Sequence, residues 1–243
     1  MLVTNVECVS NKDKSWHQFY LFYRDENNLK ERKLMKWDKQ FYPYFYVPEE
    51  ATTEDKFLEG LLKVETGFVD YSGKPVKKLL FKSRESNVFM AARDIFSKTY
   101  EDDVVFLTRF QIDNGIFLAK QQRIMFIDIE TNNSVDVENP LEVVSLAIYD
   151  SYHRKYICFV WREDLVKSIS ALDSTTVLLK FSSEREMLAA FLEYYQKNIP
   201  DIISGWSVDR FDMSYLINRI KKLNLNHTVL SQLGRVWVSY HQE

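Results

Sequence analysis

The chain has 243 residues, 46% of them hydrophobic and 28% charged, which is enough apolar mass for two modest cores. Its 32 basic and 35 acidic residues leave a net charge of −3, so bulk charge does not mark a nucleic-acid binder; any DNA contact must come from local patches or from cations set against carboxylates. No apolar run approaches the roughly 20 residues that span a bilayer, the N-terminus lacks the order of a signal peptide, and Cys8 and Cys158 stand far apart in no zinc or disulfide pattern, so a cytoplasmic protein with no membrane partner is expected.

In the first third, short strand-like runs alternate with turns: HQFYLFYRDENN, LKERKLMKW, then FYPYFYVPEE, where Pro43 and Pro48 bracket an aromatic segment. Residues 53–63 space Phe57, Leu58, Leu61 and Leu62 helically, FVDYSGKPVKKLLF reads as two strands around a Ser-Gly turn, and a second helix is expected from 85 to about 98. An α+β N-terminal domain follows. The amphipathic segment VVFLTRFQIDNGIFLAK leads to Lys120-Gln121-Gln122, a polar boundary that divides the chain into domains 1–122 and 123–243.

Beyond the boundary RIMFIDIE is an apolar strand interrupted by two acids, and LEVVSLAIYD, KYICFVW and TVLLKF are further strands. SSEREMLAAFLEYYQKN is a helix with Ser182 or Ser183 as its cap and Glu186 as the capping-box partner. DIISGW is a short buried strand, RFDMSYLINRIKKLN a helix, and RVWVSYHQE a last strand. The class is α/β: an α+β N-terminal domain followed by a domain with a mixed central sheet.

Asp128 and Glu130 interrupt an apolar strand at a spacing of two, so both point to one face and can converge on one cation. Burying unpaired carboxylates is costly, and magnesium or manganese would offset that cost; the competing reading is a strand edge with both acids in water. The second feature is ISGWSVDRFDMSYLINR, where Asp212 stands at or near the start of a helix and is equally well read as a first-turn acid favoured by the helix dipole.

Taken together, FIDIET at 126–131 and GWSVDRFDMSYLINR at 205–219 resemble the first and second exonuclease motifs of the family B DNA polymerases. The segments FYPYFYV, VDYSGKPVKKLLF, YEDDVVFLTRFQIDNGI and SSEREMLAAFLEYYQKNIPDII are also similar, in the same order, to archaeal and T-even-phage members. Ser207 departs from the pattern, standing where the family usually has Asn.

The resemblance implies an RNase H-like 3′→5′ proofreading exonuclease that is incomplete at its C-terminus. It implies two Mg²⁺ or Mn²⁺ ions on the catalytic acids Asp128, Glu130 and Asp212, with Thr131, Ser207, Phe211 and Leu216 meeting the DNA strand. By the same resemblance Pro43, Tyr44 and Phe117 line a pocket for a template base. The implied partners are the 3′ end of single-stranded DNA, primer-template DNA, and the remaining polymerase domains or a partner polymerase subunit, in the cytoplasm or, for a virus-encoded protein, the host cytoplasm. The polymerase motifs D-x-x-S-L-Y-P and D-T-D are absent, and after Asp212 the only acid is Glu243, so the third exonuclease motif is missing and weak activity is expected of this chain alone. Two other readings stand beside this one: a free-standing RNase H-like exonuclease, and a non-catalytic DNA-binding or assembly module of a split polymerase.

Overall fold

The computed structural model describes the chain except for residues 11–16, 54–57, 59, 83–93, 133–134, 163, 165–172, 237 and 239–243. The helix expected over 53–63 is not formed at its end: residues 54–57 and 59 lie outside the described residues, but Leu61, Leu62 and Lys63 begin a strand (Leu61–Val69) whose pairing with Pro75–Phe81 overrides their helical spacing. The helix expected over 85–98 and the last strand fall largely outside the described residues. The chain forms two compact units. One comprises Val3–Tyr23 and Leu34–Leu118; the other comprises Met1–Leu2, Arg24–Lys33 and Ala119–Glu243.

The first unit is built on aromatic packing. Strands β1 (Leu2–Ser10), β2 (His17–Asp25) and β3 (Asn28–Lys36) form a sheet in that order, of which Val3–Ser10, His17–Tyr23 and Leu34–Lys36 belong to this unit. Helix α1 (Phe106–Asp113) supplies Phe106 and Phe110 to its core, where Phe110 stacks on Phe19 at 3.8 Å between ring centroids. Strands β4 (Tyr44–Pro48), β5 (Leu61–Val69) and β6 (Pro75–Phe81) make a second, antiparallel sheet in the order β4-β6-β5. Phe45, Val47, Leu79 and Phe81 are buried on one face of it together with Phe96. The Ser-Gly hairpin read from FVDYSGKPVKKLLF is present between β5 and β6, with Gly73 at φ 81°.

The second unit holds a five-stranded mixed sheet in the order β10-β9-β8-β7-β11. Strands β7 (Ile124–Thr131), β8 (Val143–Asp150) and β9 (Lys155–Val160) run antiparallel to their neighbours in sequence, while β10 (Thr176–Lys180) joins β9 and β11 (Ile202–Ser204) joins β7 in parallel. Helices α2 (Glu184–Lys197) and α3 (Met213–Lys222) cover one face, and their apolar stripes meet Met125, Ile127, Ile129, Leu146, Ile148, Ile157 and Phe159 in one core.

The start of α2 follows its sequence signature closely. Ser183 is the cap, its hydroxyl accepting from the Glu186 amide, and the Glu186 carboxylate reaches back to the amide and hydroxyl of Ser182 (3.2 and 2.5 Å). Glu184, just inside the cap, is buried; it accepts both guanidinium arms of Arg219 on α3 (2.8 and 2.6 Å) and the Val143 amide of β8 (2.7 Å). One ion pair thus ties both helices to the sheet. Asp201, just before β11, accepts from Arg24 and Arg32 near the tip of the β2–β3 hairpin and from the Arg123 amide (2.8 Å). No described helix is long and apolar enough to cross a membrane.

Candidate active site

Side chains alternate along β7: Met125, Ile127 and Ile129 enter the core, while Phe126, Asp128 and Glu130 share the opposite, exposed face. The strand lies between β8 and β11, with its backbone paired on both sides, yet that face is open. The premise that burial of Asp128 and Glu130 calls for a cation is therefore corrected. Both acids are solvated, and the acid that is buried is Asp212.

The chain reaches Asp212 by a close approach. A Cβ on Gly205 would lie 2.6 Å from the Ile127 carbonyl oxygen, so only glycine lets the segment after β11 pass β7 there. Val208–Asp212 then form one π-helical turn, in which the Ser207 carbonyl accepts the Phe211 amide at 2.7 Å and the Asp212 amide at 3.4 Å. Asp212 closes the turn at 4% exposure, and its Oδ1 accepts the amide of Ile129, the residue between Asp128 and Glu130, at 3.3 Å. Burial pushes the Asp212 carboxyl above the usual carboxylate range, the Asp128 charge adds to the rise, and the Ile129 amide opposes it.

Among the described residues, no Lys, Arg or His pairs with any of the three acids, and no group of three or more His, Cys, Asp or Glu side chains is already gathered as a metal site. The donors nonetheless suit a hard divalent cation: all are carboxylates, two share a strand face, and the third is buried within the field of the first without a cation of the chain to offset it.

The profile of DNA polymerase family B, exonuclease domain, matches residues 118–241. The chain belongs to the family B DNA polymerases. It is 29% identical over 181 residues to a DNA polymerase of Choristoneura fumiferana nuclear polyhedrosis virus, covering 71% of this chain and 18% of that protein. Against a DNA polymerase of Thermococcus kodakarensis it is 26% identical over 217 residues, covering 79% of this chain and 12% of that one. The chain thus spans only a small part of the curated relatives it matches. The family B polymerase of Pyrobaculum calidifontis superimposes with a TM-score of 0.67 at 20% identity, covering 97% of this chain and 34% of that one. The five-stranded sheet with α2 and α3 is accordingly the RNase H-like fold of a family B exonuclease domain.

Within this family B domain the remaining expected DNA contacts differ in accessibility. Thr131 lies at the end of β7 where the β7–β8 register shifts, and is partly exposed. Ser207 is half-buried at the start of the π turn. Phe211 is half-buried, its ring 5.4 Å from that of Tyr215. Leu216, also expected to meet bases, is 0% exposed in the core and presents no surface to a ligand. In the first unit Tyr44 is buried, its hydroxyl donating to Asp113 (2.5 Å) with Lys78 Nζ 3.6 Å over its ring, and Pro43 accepts the Phe81 amide. Phe117 stands 84% exposed.

Two residues escaped the sequence reading. Trp206 is 99% exposed between Gly205 and Ser207, and Phe126 shares the face of Asp128 and Glu130 at 46% exposure. The period-two alternation of MFIDIE was the available signal for Phe126.

Asp212→Asn tests the electrostatics. A group whose folded pKa is raised contributes most to stability below its unfolded value and loses that contribution as pH rises through the folded value. Without divalent ions at neutral pH, the variant is expected to melt higher than the parent, and the gain should vanish as the pH falls through the ordinary carboxylate range, where Asp212 is neutral in both states. An equal or lower melting temperature at neutral pH would show that ionised Asp212 carries no burial cost.

Proposed function

We propose that this chain supplies the N-terminal and proofreading portion of a DNA polymerase, hydrolysing the 3′-terminal phosphodiester of single-stranded DNA. The observation that carries this reading is Asp212, buried and held by the Ile129 amide between the two exposed acids of β7. Asp128, Glu130 and Asp212 would hold Mg²⁺ or Mn²⁺, which when bound activates water and neutralises charge on the phosphate. The chain's own groups do the positioning. The hydroxyls of Thr131 and Ser207 donate to the terminal nucleotide, Ser207 with a shorter reach than the Asn usual in the family. The exposed edge of Phe211 packs on a frayed base. Primer-template DNA and the remaining polymerase domains, or a partner polymerase subunit, are the partners on this reading, in the cytoplasm of the cell or of a virus's host.

Three carboxylates are few for two cations, since each ion needs its own oxygen ligands. The 243-residue polypeptide is therefore expected to remove nucleotides from a 3′-labelled single strand only slowly with Mn²⁺, and the Asp128→Ala, Glu130→Ala double variant is expected to remove none. Wild-type activity equal to that of the double variant at every Mn²⁺ concentration would refute the site. Robust activity lost in the double variant would favour a free-standing exonuclease instead.

A further inference from the structure

A cavity lies in the first unit, on the face of the β4-β6-β5 sheet opposite its core. It is an open cleft of about 370 Å³ lined by Tyr46, Phe68, Val69, Asp70, Tyr71, Val76, Tyr100 and Glu101, a volume in the range of small-molecule sites. None of Pro43, Tyr44 and Phe117 lines it.

Its walls are fixed from three directions. Tyr100 forms an isolated antiparallel bridge with Tyr46, each amide donating to the other's carbonyl (2.8 and 3.0 Å). The β5–β6 turn is locked by Asp70: its Oδ1 accepts the Ser72 amide, the Ser72 hydroxyl and the Lys74 amide (2.7–2.9 Å), and its Oδ2 accepts the Tyr100 hydroxyl at 3.1 Å. From within that turn Tyr71 projects with 98% of its surface exposed. Glu101 sits at φ 59°, a left-handed conformation that costs a side-chain-bearing residue energy, and Arg109 holds it there by bonding both its carboxylate and its carbonyl.

The lining chemistry selects a ligand class. Four aromatic side chains suit a flat ring. The charged groups of the lining are carboxylates, with no Lys or Arg among them, so an anion has no partner inside and N–H donors do. An organic cation is disfavoured because the chain already supplies cations to these rings and acids: Lys98 Nζ lies 4.6 Å over Tyr100, Lys78 Nζ lies 5.9 Å from the Phe68 ring, and Arg109 pairs with Glu101. What remains is a neutral aromatic heterocycle with amino donors.

We propose that this cleft binds an unpaired nucleobase carrying an exocyclic amino group, stacked against Tyr71 with its donors turned to Asp70 and Glu101. Guanine, adenine and cytosine have that group; uracil and thymine do not. The base arrives as a free nucleotide or within a single strand, and Lys98 is the nearby charge for the attached phosphate.

The test titrates GMP, AMP, CMP and UMP against the 243-residue chain by saturation-transfer NMR in EDTA, which removes cation-dependent binding at the nuclease site. A five-nucleotide single strand is titrated alongside, and the tighter of mononucleotide and strand identifies the source. The amino-bearing nucleotides are expected to bind and UMP to bind at least fivefold more weakly. Tyr71→Ala should weaken binding about fivefold or more, the loss of one stacked base. Tyr71→Trp should retain it, and both variants should keep the Mn²⁺-dependent nuclease rate, because Tyr71 lies outside that site. Binding of UMP as tight as that of GMP overturns the role of the carboxylates, unchanged binding in Tyr71→Ala overturns the stacking, and displacement of the nucleotide by tetramethylammonium assigns the cleft to a cation. Silence from all four nucleotides and the strand up to about 5 mM ligand, where even a millimolar site would show, removes the proposal.

Discussion

An Arg219→Ala variant is expected to lose about 3–5 kcal/mol of stability, the usual cost of breaking a buried ion pair from one side. The pair has little solvent on either partner, with side-chain exposures of 10% for Arg219 and 7% for Glu184. Removing the guanidinium leaves Glu184 buried with only the Val143 amide, and it leaves the Pro140 carbonyl, which Arg219 and Lys222 each bind at 3.2 Å, with Lys222 alone. Charge alone does not explain the size of the effect, because replacing both partners by apolar residues of similar volume is often neutral or stabilising. The control is therefore the double variant Glu184→Leu, Arg219→Met, which should recover most of the loss. Urea unfolding of the three proteins measures this. A single-variant loss below ~1 kcal/mol would mean that water or a neighbour solvates Glu184 as well as Arg219 does.

The second large effect falls on Gly205→Ala. The added methyl would stand 2.6 Å from the Ile127 carbonyl oxygen, a backbone atom of a strand paired on both sides, so β11 rather than β7 must yield. Overpacking of this kind costs about 1–3 kcal/mol. The functional cost is larger, because the same displacement moves the π turn and takes Asp212 off the Ile129 amide. Mn²⁺ is expected to raise the melting temperature of the parent, and in Gly205→Ala that rise should disappear. A variant that melts lower yet keeps the full Mn²⁺ shift would show that Asp212 is placed independently of Gly205.

Much of the second unit was legible because its signals are local. The cap at Ser183, the stripe from Met187 to Tyr195 and the strands around FIDIE follow from spacing alone, and the β5–β6 hairpin in the first unit follows from Ser72-Gly73. The segment expected to be a single helix from Arg210 instead enters through a π turn, a geometry that no residue type announces. Burial was harder still. An acid in an apolar strand reads as buried, but alternation places Asp128 and Glu130 on the open face, while Asp212, which looked like an ordinary first-turn acid, is the buried one. Leu216 fits the helical stripe that packs the core as well as it fits a DNA contact, and the core won. The role of Asp201 was invisible because its partners, Arg24 and Arg32, lie in a hairpin near the other end of the chain.

That hairpin has a consequence for synthesis. Arg24 and Asp201 are separated by 177 positions, yet they bond in one compact unit. On a ribosome adding about 5–20 residues per second, Arg24 waits roughly 10–35 s for its carboxylate to be made. Throughout that interval the residues of the first unit, Val3–Tyr23 and Leu34–Leu118, can complete their own cores, and Arg24 can bond the Leu29 and Lys30 carbonyls within its hairpin, but Arg24 and Arg32 lack the carboxylate they share. The second unit is the last to close although it holds some of the first residues translated, so a pause or a chaperone acting late in the message would find two arginines of a nascent hairpin still without their carboxylate.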